Sequence, residues 1–432
     1  MKKAIVYLIL CVFGLCSKGQ GTAYITRSGA IGYSQFVRQY TNCSGCHITY
    51  FSDTPSGGRG YIGITDVYNS FKYMQICQNC KINDIEVLDD IVYFCGQTVT
   101  NRGLLGWIDI ITMKVTIDSI SLSPYDWNNI EVYKDAVGDH YVAGYSTDGS
   151  VHKGFNYKVQ SYQGVIFDLQ YMPCDMTLTN SFIVFVGDLT VSGFVNNIII
   201  QPVLKYSLSP TYMPYYSYQV GSPAVNEPYL YHVRVVDIGN DAVATLTHRF
   251  EYGSYCSMAL REFDLSNAYI NFNVPMTTAY QAKYYYSFGD IYDFRYDVAN
   301  LTYNVFQRYA VTPSNYYDVV TKIDFSSGTP TTVQSDYLSF SGQAMKSMSL
   351  SDSSMYVVYG YDVASTENVF WKDFQNTSVT GACLHLDILP FAAIPLISAE
   401  RTDVYVTPIN WGRNIVPSVT RLLLEAVSTI CH

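Results

Sequence analysis

A short phrase recurs along this chain, in which an apolar residue, an Asp and a second apolar residue precede a polar turn. The phrase is clearest around Asp66, Asp109, Asp264, Asp324 and Asp373. Degenerate copies lie near residues 158 and 206, so that seven positions follow one another at intervals of 43 to 60 residues. Self-similarity at such a period indicates a repeat architecture, in which each repeat is one supersecondary unit.

Each repeat contains several short extended runs. The unit that holds Asp109 is predicted to have strands over residues 84–88, 91–96, 104–110 and 115–122. The chain has 41 Tyr, and only 14% of its residues are charged, which favours pleated, half-buried strands. Four short strands per repeat predict an all-β fold, a β-propeller with seven four-stranded blades. The alternative is a pair of β-sandwiches, which also have regularly spaced strands.

The two ends of the repeat region predict how the ring closes. Residues 61–76 resemble the third and fourth strands of a blade that lacks an obvious inner pair. Spare extended runs at residues 384–397 and 403–409 would supply that inner pair, so N- and C-terminal strands would share one blade. We therefore expect a signal peptide over residues 1–19, an N-terminal extension over 20–60 and one propeller domain over 61–432.

The run from Trp107 to Val115 resembles the strand–turn–strand of β-propeller repeats of the quinoprotein and surface-layer kind. The resemblance covers roughly residues 61–410 and implies the propeller fold, but it does not identify one functional family. The recurring Asp is predicted to cap the turn between the third and fourth strands, because Asp side chains accept hydrogen bonds from nearby backbone amides. It is therefore interpreted as structural.

The N-terminus reads as an export signal. Lys2 and Lys3 precede an apolar run, and Ser17 and Gly19 are small residues placed for cleavage before Gln20. We expect a monomer that is periplasmic, on the cell surface or secreted; lipidation at Cys16 is the alternative. The net charge of −10 argues against binding nucleic acid or an anionic membrane, and no later run is long enough to span one.

Polar residues open the innermost strands, which line the central channel of a propeller. These residues are Asp84, Asn129, Asp175, His232 and Asp290. Their recurrence predicts a ring of carboxylate, amide and imidazole groups at the channel mouth, suited to a hydrophilic ligand or to a hard cation held by oxygens. The alternative is that they cap strand starts and bind channel water.

Aromatic residues are predicted on the loops around the same mouth. Tyr125, Trp127, Tyr216 and Tyr285 offer apolar faces with polar tips, which could stack on sugar rings or grip a peptide. Tyr-rich minicores within long loops are the alternative. The sequence thus favours an exported binding or scaffold module for a glycan or a peptide. A glycan-directed hydrolase or lyase with acidic residues at the channel mouth is the second hypothesis, and no catalytic residue is assigned.

The cysteines leave several chemistries open, although no cofactor or metal is expected. Cys43, Cys46 and His47 match the motif that attaches haem c, and the Cys77–Cys80 pair could complete a four-thiolate zinc site. Disulfides are favoured because the chain is expected to be exported. Cys95 is predicted to be a buried free thiol.

Overall fold

The computed structural model describes part of the chain, in segments separated by short gaps. The described residues are 22–26, 33–40, 46–52, 60–65, 70–77, 80–98, 103–119, 126–148, 151–161, 163–169, 171–191, 194–208, 213–219, 230–251, 255–284, 287–312, 315–338, 343–352, 355–362, 367–375, 392–393, 399–404, 406–410, 412–416, 420–423 and 425–429.

Seven antiparallel sheets account for the described strands, and we number them 1 to 7 along the chain. Sheet 1 consists of β2 (Tyr33–Gln39), β3 (His47–Ser52), β4 (Gly60–Thr65) and β5 (Ser70–Cys77). Sheet 2 consists of β6 (Cys80–Leu88), β7 (Ile91–Thr98), β8 (Gly103–Asp109) and β9 (Lys114–Ser119). Sheet 3 consists of β10 (Trp127–Lys134), β11 (His140–Asp148), β12 (Val151–Lys158) and β13 (Gln163–Asp168).

The next three sheets repeat the same up-and-down order. Sheet 4 consists of β14 (Met172–Leu178), β15 (Phe182–Val191), β16 (Phe194–Leu204) and β17 (Met213–Gln219). Sheet 5 consists of β18 (Leu230–Gly239), β19 (Ala242–Glu251), β20 (Tyr255–Asp264) and β21 (Met276–Tyr284). Sheet 6 consists of β22 (Ser287–Asp297), β23 (Thr302–Thr312), β24 (Asn315–Asp324) and β25 (Thr331–Leu338).

Sheet 7 combines strands from both ends of the chain. It consists of β26 (Gln343–Asp352), β27 (Met355–Asp362) and β28 (Glu367–Gln375), and the N-terminal β1 (Thr22–Thr26) pairs with β28 as its fourth strand. The first strand of each sheet contacts the first strand of the next, and β26 contacts β2. The all-β prediction and the β-propeller prediction are confirmed by this arrangement of sheets.

The C-terminal tail adds a fifth strand to six of the seven sheets. It visits sheets 5, 4, 3, 2, 1 and 7 in that order, as β29 (Ala392–Ala393), β30 (Ala399–Val404), β31 (Val406–Asn410), β32 (Gly412–Val416), β33 (Thr420–Leu423) and β34 (Glu425–Thr429). Each tail strand pairs antiparallel with the outermost strand of its sheet. The tail therefore satisfies backbone groups that would otherwise form exposed sheet edges.

The predicted source of the inner strands of sheet 1 was wrong. Strands β2 and β3, which lie within residues 20–60, pair with β4 and supply the inner half of that sheet. The predicted boundary at residue 60 therefore falls between strands of one sheet. The described residues of the C-terminal runs lie on the outer edges instead, because the inner places are already filled by earlier strands. N- and C-terminal strands do share a sheet, but it is sheet 7.

The recurring Asp caps turns, as predicted, at the three positions whose side chains are described; Asp66 lies outside the described residues, and Asp373 is described only as backbone. Asp109 accepts a hydrogen bond from the backbone N–H of Thr112 at 2.8 Å. Asp264 and Asp324 accept equivalent bonds from Ser266 at 2.8 Å and Ser326 at 2.7 Å. The carboxylates stabilise the turns between third and fourth strands. They lie at the end of the sheets opposite the starts of the first strands.

The core lies between neighbouring sheets. Separate buried clusters join sheets 1 and 2, 2 and 3, 3 and 4, 4 and 5, and 5 and 6. Ile108, Phe263 and Ile323, which immediately precede the recurring Asp, are all buried in these clusters. The apolar position before the recurring Asp therefore packs between neighbouring sheets. Strands with apolar residues on both faces are expected where each sheet is covered on both sides.

Candidate functional site

Every first strand contains a β-bulge in its first half. In each, two residues of the first strand lie opposite one residue of the second strand. The extra residues of the seven bulges are Gln35, Asn83, Asn128, Cys174, His232, Tyr292 and Lys346. A bulge bends its strand and changes the direction of a side chain, and bulges are frequent beside functional sites.

The five polar residues predicted at the channel mouth all lie at this ring of bulges. Asp84, Asn129 and Asp175 directly follow the extra residue of their strands. His232 is itself an extra residue, and Asp290 lies within a second register shift of β22. Asp84, Asn129 and Asp175 thus occupy equivalent positions on three neighbouring strands. His232 precedes the equivalent Val233 by one residue, and Asp290 precedes the equivalent Asp293 by three. For His232 and Asp290 only the backbone is described.

Asp84 connects two sheets through its carboxylate. Its Oδ1 accepts the N–H of Ile85 at 2.9 Å, and its Oδ2 accepts the N–H of Ile130 in sheet 3 at 3.1 Å. The side chain is buried, with 1% of the residue exposed. Both oxygens are therefore engaged by the protein itself, which is a structural role.

Asp175 and Arg234 form a second connection, between sheets 4, 5 and 6. Asp175 Oδ2 accepts the N–H of Val235 at 2.9 Å. The Arg234 guanidinium donates to the carbonyl of Ile291 through Nε at 3.2 Å and Nη2 at 2.8 Å, and to the carbonyl of Cys174 at 3.1 Å. One cation thereby bridges three first strands, and fixed bonds of this kind hold the bulges in place.

Burial raises the pKa of the Asp175 carboxyl to about 6, although the nearby Arg234 lowers it and Asp293 adds to the rise. Burial, with a smaller contribution from Asp175, also raises the pKa of the Tyr145 hydroxyl. Carboxylate, phenol and guanidinium therefore share one low-dielectric neighbourhood. A titratable group shifted in this way marks a candidate functional site, although ion-pair networks cause similar shifts.

Asn129 differs from the two aspartates. Its Oδ1 is buried and accepts no hydrogen bond from any described residue. A buried acceptor without a partner is costly, so it is a natural contact for a donor on a bound molecule.

Arg234, Asp293 and Tyr145 were not predicted as part of the site. Arg234 could have been identified from the sequence of β18, because it interrupts a run of Val in that strand.

Trp127 and Tyr216 lie in the core and not on an exposed loop face. Trp127 is fully buried between sheets 2 and 3, with its ring 4.5 Å from that of Phe155. Tyr216 is 1% exposed in β17 and donates its hydroxyl hydrogen to the carbonyl of Ala268 at 2.6 Å. Both residues belong to strands whose buried faces take large aromatic side chains. Tyr125 and Tyr285 lie outside the described residues.

The structure separates the cysteines by environment. Cys95 is a buried free thiol, as predicted, and its Sγ donates to the carbonyl of Trp127 at 3.4 Å. Cys46 is also buried, Cys43 lies outside the described residues, and His47 is described only as backbone at the start of β3. Within the described segments, no three His, Cys, Asp or Glu side chains are grouped to hold a metal ion.

The same segments contain no helix that is long and apolar enough to cross a bilayer.

The chain is similar in fold to solved propeller structures. The WD40 domain of coronin from Toxoplasma gondii is 13% identical over 81% of this chain and 84% of that one, with a TM-score of 0.48. The β-propeller domain of the Trilobed protease from Pyrococcus furiosus, described as having an open velcro topology, is 9% identical over 81% of this chain and 99% of that one, with a TM-score of 0.41. No protein-family model matches the sequence, and no curated protein matches it. The fold assignment rests on the strand pairings themselves.

Proposed function

We propose that this chain is an exported β-propeller that binds a hydroxyl-rich ligand, a neutral glycan, at the mouth of the central channel. The observation that supports the proposal is the ring of bulges with the buried, unpartnered Asn129 Oδ1 among its residues. Because this oxygen is buried in the ligand-free chain, a ligand hydroxyl would reach it only after neighbouring residues shift, and it would then meet no competing donor from the described residues.

The charge balance at the mouth supports a neutral ligand. Asp175 lies near Arg234, and Asp293 pairs with Arg295 at 3.0 Å. Because these opposite charges are close together, the site has no strong preference for either sign of ligand. Tyr side chains predicted on the loops around the mouth, such as Tyr125 and Tyr285, would add stacking on sugar rings.

A glycan array, followed by titration of the best oligosaccharide, tests the proposal. We expect Asn129→Ala to weaken binding by about tenfold, the loss of one buried hydrogen bond. His232→Ala is expected to weaken it as well, while Asp264→Asn at the opposite end of the sheets is the matched control. Binding that both channel variants leave unchanged would exclude this site. A peptide in place of a glycan as the best ligand would keep the site and change the ligand class.

The raised pKa of Asp175 supports a second candidate function, a glycan-directed hydrolase or lyase. A carboxyl group with a pKa of about 6 can act as a general acid near neutral pH. In that case the bound oligosaccharide is cleaved, the rate depends on pH around 6, and Asp175→Asn abolishes turnover. If a ligand binds and is recovered intact after prolonged incubation, the protein binds this ligand and does not cleave it.

A further inference from the structure

Exposed apolar side chains are concentrated at the end of the sheets opposite the channel mouth. We define the turn face as the turns that join first to second strands and third to fourth strands in sheets 2 to 6. It includes the last three residues of the strand before each turn and the first residue of the strand after it. Nine large apolar side chains are exposed among the described residues, and all but Met172 lie on the turn face. They are Ile111, Val137, Leu204, Tyr206, Ile270, Phe272, Val298 and Leu301.

The tips of these turns are among the most exposed apolar positions of the described chain. Val137 is 88% exposed, Ile270 76% and Ile111 74%. Single exposed apolar residues are ordinary on a protein surface, but a set that occupies one face indicates an interaction site. Packing of the core does not explain why these three apolar residues are on this face, because none of them belongs to a buried cluster.

Backbone conformation on the turn face is unusual for apolar residues. Met113, Phe272 and Leu301 have positive φ angles of 55°, 51° and 52°. Gly or Asn would adopt this left-handed conformation at lower cost. The fold keeps large apolar side chains there, and Phe272 and Leu301 are exposed. Turn geometry alone therefore does not explain these side chains.

The turns of sheets 3, 4 and 5 are connected into one surface. Tyr206 donates its hydroxyl hydrogen to the carbonyl of Lys134 at 3.3 Å, which joins the turns of sheets 4 and 3. Tyr269 donates to the carbonyl of Pro202 at 3.1 Å, which joins the long turn of sheet 5 to sheet 4. Val137, Leu204, Tyr206, Ile270 and Phe272 thus lie on adjacent, mutually supported turns.

The turn face is also acidic. Among its described residues, twelve Asp or Glu side chains stand against six Lys or Arg. The excess arises because aspartates cap the turns, as Asp109, Asp264 and Asp324 do. A capping Asp keeps its negative charge while it accepts backbone hydrogen bonds. Turn caps that are individually structural therefore produce a negative potential around the exposed apolar tips.

We propose that the turn face docks a polypeptide segment of a partner protein in which Lys or Arg residues alternate with apolar residues. Apolar tips and acidic surroundings together fit that chemistry, because the apolar contacts supply affinity and the charges supply orientation and speed of association. A second copy of this chain would bring the same acidic face, and an anionic bilayer would also be repelled. The partner surface is independent of the glycan site at the channel mouth.

Binding of synthetic peptides to the full chain tests the proposal. The probe is a peptide that alternates Lys with Leu; the comparison peptides replace every Lys with Glu, or every Leu with Ser. We expect the Lys/Leu peptide to bind at least about tenfold more tightly than either comparison peptide, and binding to weaken as salt is raised. Equal binding of the Lys/Ser peptide would show unspecific attraction to an acidic protein and would overturn the proposal.

A face variant locates the binding. The combined substitutions Ile111→Ser, Val137→Ser and Ile270→Ser remove three exposed tips without touching the core, so the fold should be retained. We expect this variant to lose about tenfold or more in affinity for the Lys/Leu peptide. Asn129→Ala at the channel mouth is the matched control and should bind the peptide normally. Unchanged binding by the face variant, or self-association of the chain that the face variant abolishes, would contradict the proposal.

Discussion

Replacing Gly96 with alanine is expected to destabilise the propeller by about 3 kcal/mol or more, at the upper end of the usual cost of overpacking. A Cβ at Gly96 would lie 1.9 Å from the carbonyl oxygen of Lys81 and 2.9 Å from the Cα of Ile82. Both are backbone atoms of the paired strand β6, so neither can rotate away as a side chain would. Strands β6 and β7 would have to separate just where the bulge at Asn83 begins.

Denaturant unfolding of Gly96→Ala beside Gly138→Ala measures this effect. Gly138 has a φ of +95°, and nothing lies within 4 Å of a Cβ built on it. Its substitution should cost only about 1 kcal/mol, from backbone conformation alone. Similar losses for the two variants would show that the close approach at Gly96 relaxes easily. If Gly96→Ala folds, we also expect weaker ligand binding, because the Asp84 bond to Ile130 depends on that bulge.

The recurring Asp made much of the architecture predictable. Asp side chains cap turns through local hydrogen bonds, so Asp109, Asp264 and Asp324 report a turn wherever they occur, whatever surrounds them. Local chemistry of this kind is readable from sequence. The spacing of the turns then indicated four short strands per repeat, and the described sheets agree with it.

The pairing of strands that are far apart in the sequence was not predictable in the same way. The tail strands β29 to β34 are short, and nothing in their composition distinguishes an inner strand from an outer fifth strand. Their place depends on which edges remain unpaired after the other strands have folded. The inner strands β2 and β3 were missed for a similar reason, since their polar, Gly-rich flanks resemble a loop.

The candidate site was predictable in position but not in detail. Polar residues at strand starts identified the ring that includes Asp84, Asn129 and Asp175, because these residues interrupt apolar runs. Only coordinates show that Asp84 is engaged by backbone amides while the Asn129 Oδ1 accepts no bond from a described residue. Likewise, only the packing of β10 and β17 between neighbouring sheets shows that Trp127 and Tyr216 are buried.

Replacing Arg234 with methionine is expected to destabilise the protein more at about pH 8 than at about pH 4.5. Burial raises the Asp175 pKa to about 6, so this group contributes stability below its unfolded pKa of 3.8 that is lost as pH rises through about 6. Arg234 limits that loss by stabilising the ionised carboxylate. Without it the Asp175 pKa rises further, and a charge remains buried without its cation at alkaline pH.

The expected loss in Arg234→Met is about 3 kcal/mol at pH 8 and about 1 kcal/mol less at pH 4.5, where Asp175 is protonated and the missing interactions are the bonds to the Ile291, Cys174 and Val233 carbonyls. Denaturant unfolding at both pH values measures the difference. Adding Asp175→Asn to Arg234→Met should remove this difference between pH 8 and pH 4.5, since the Asp175 carboxylate is no longer present. Arg295→Met is the matched control: that residue pairs with Asp293 at a more exposed position and should cost about 1 kcal/mol or less. Equal losses at the two pH values would mean that Arg234 acts only through its carbonyl bonds and not on the charge of Asp175.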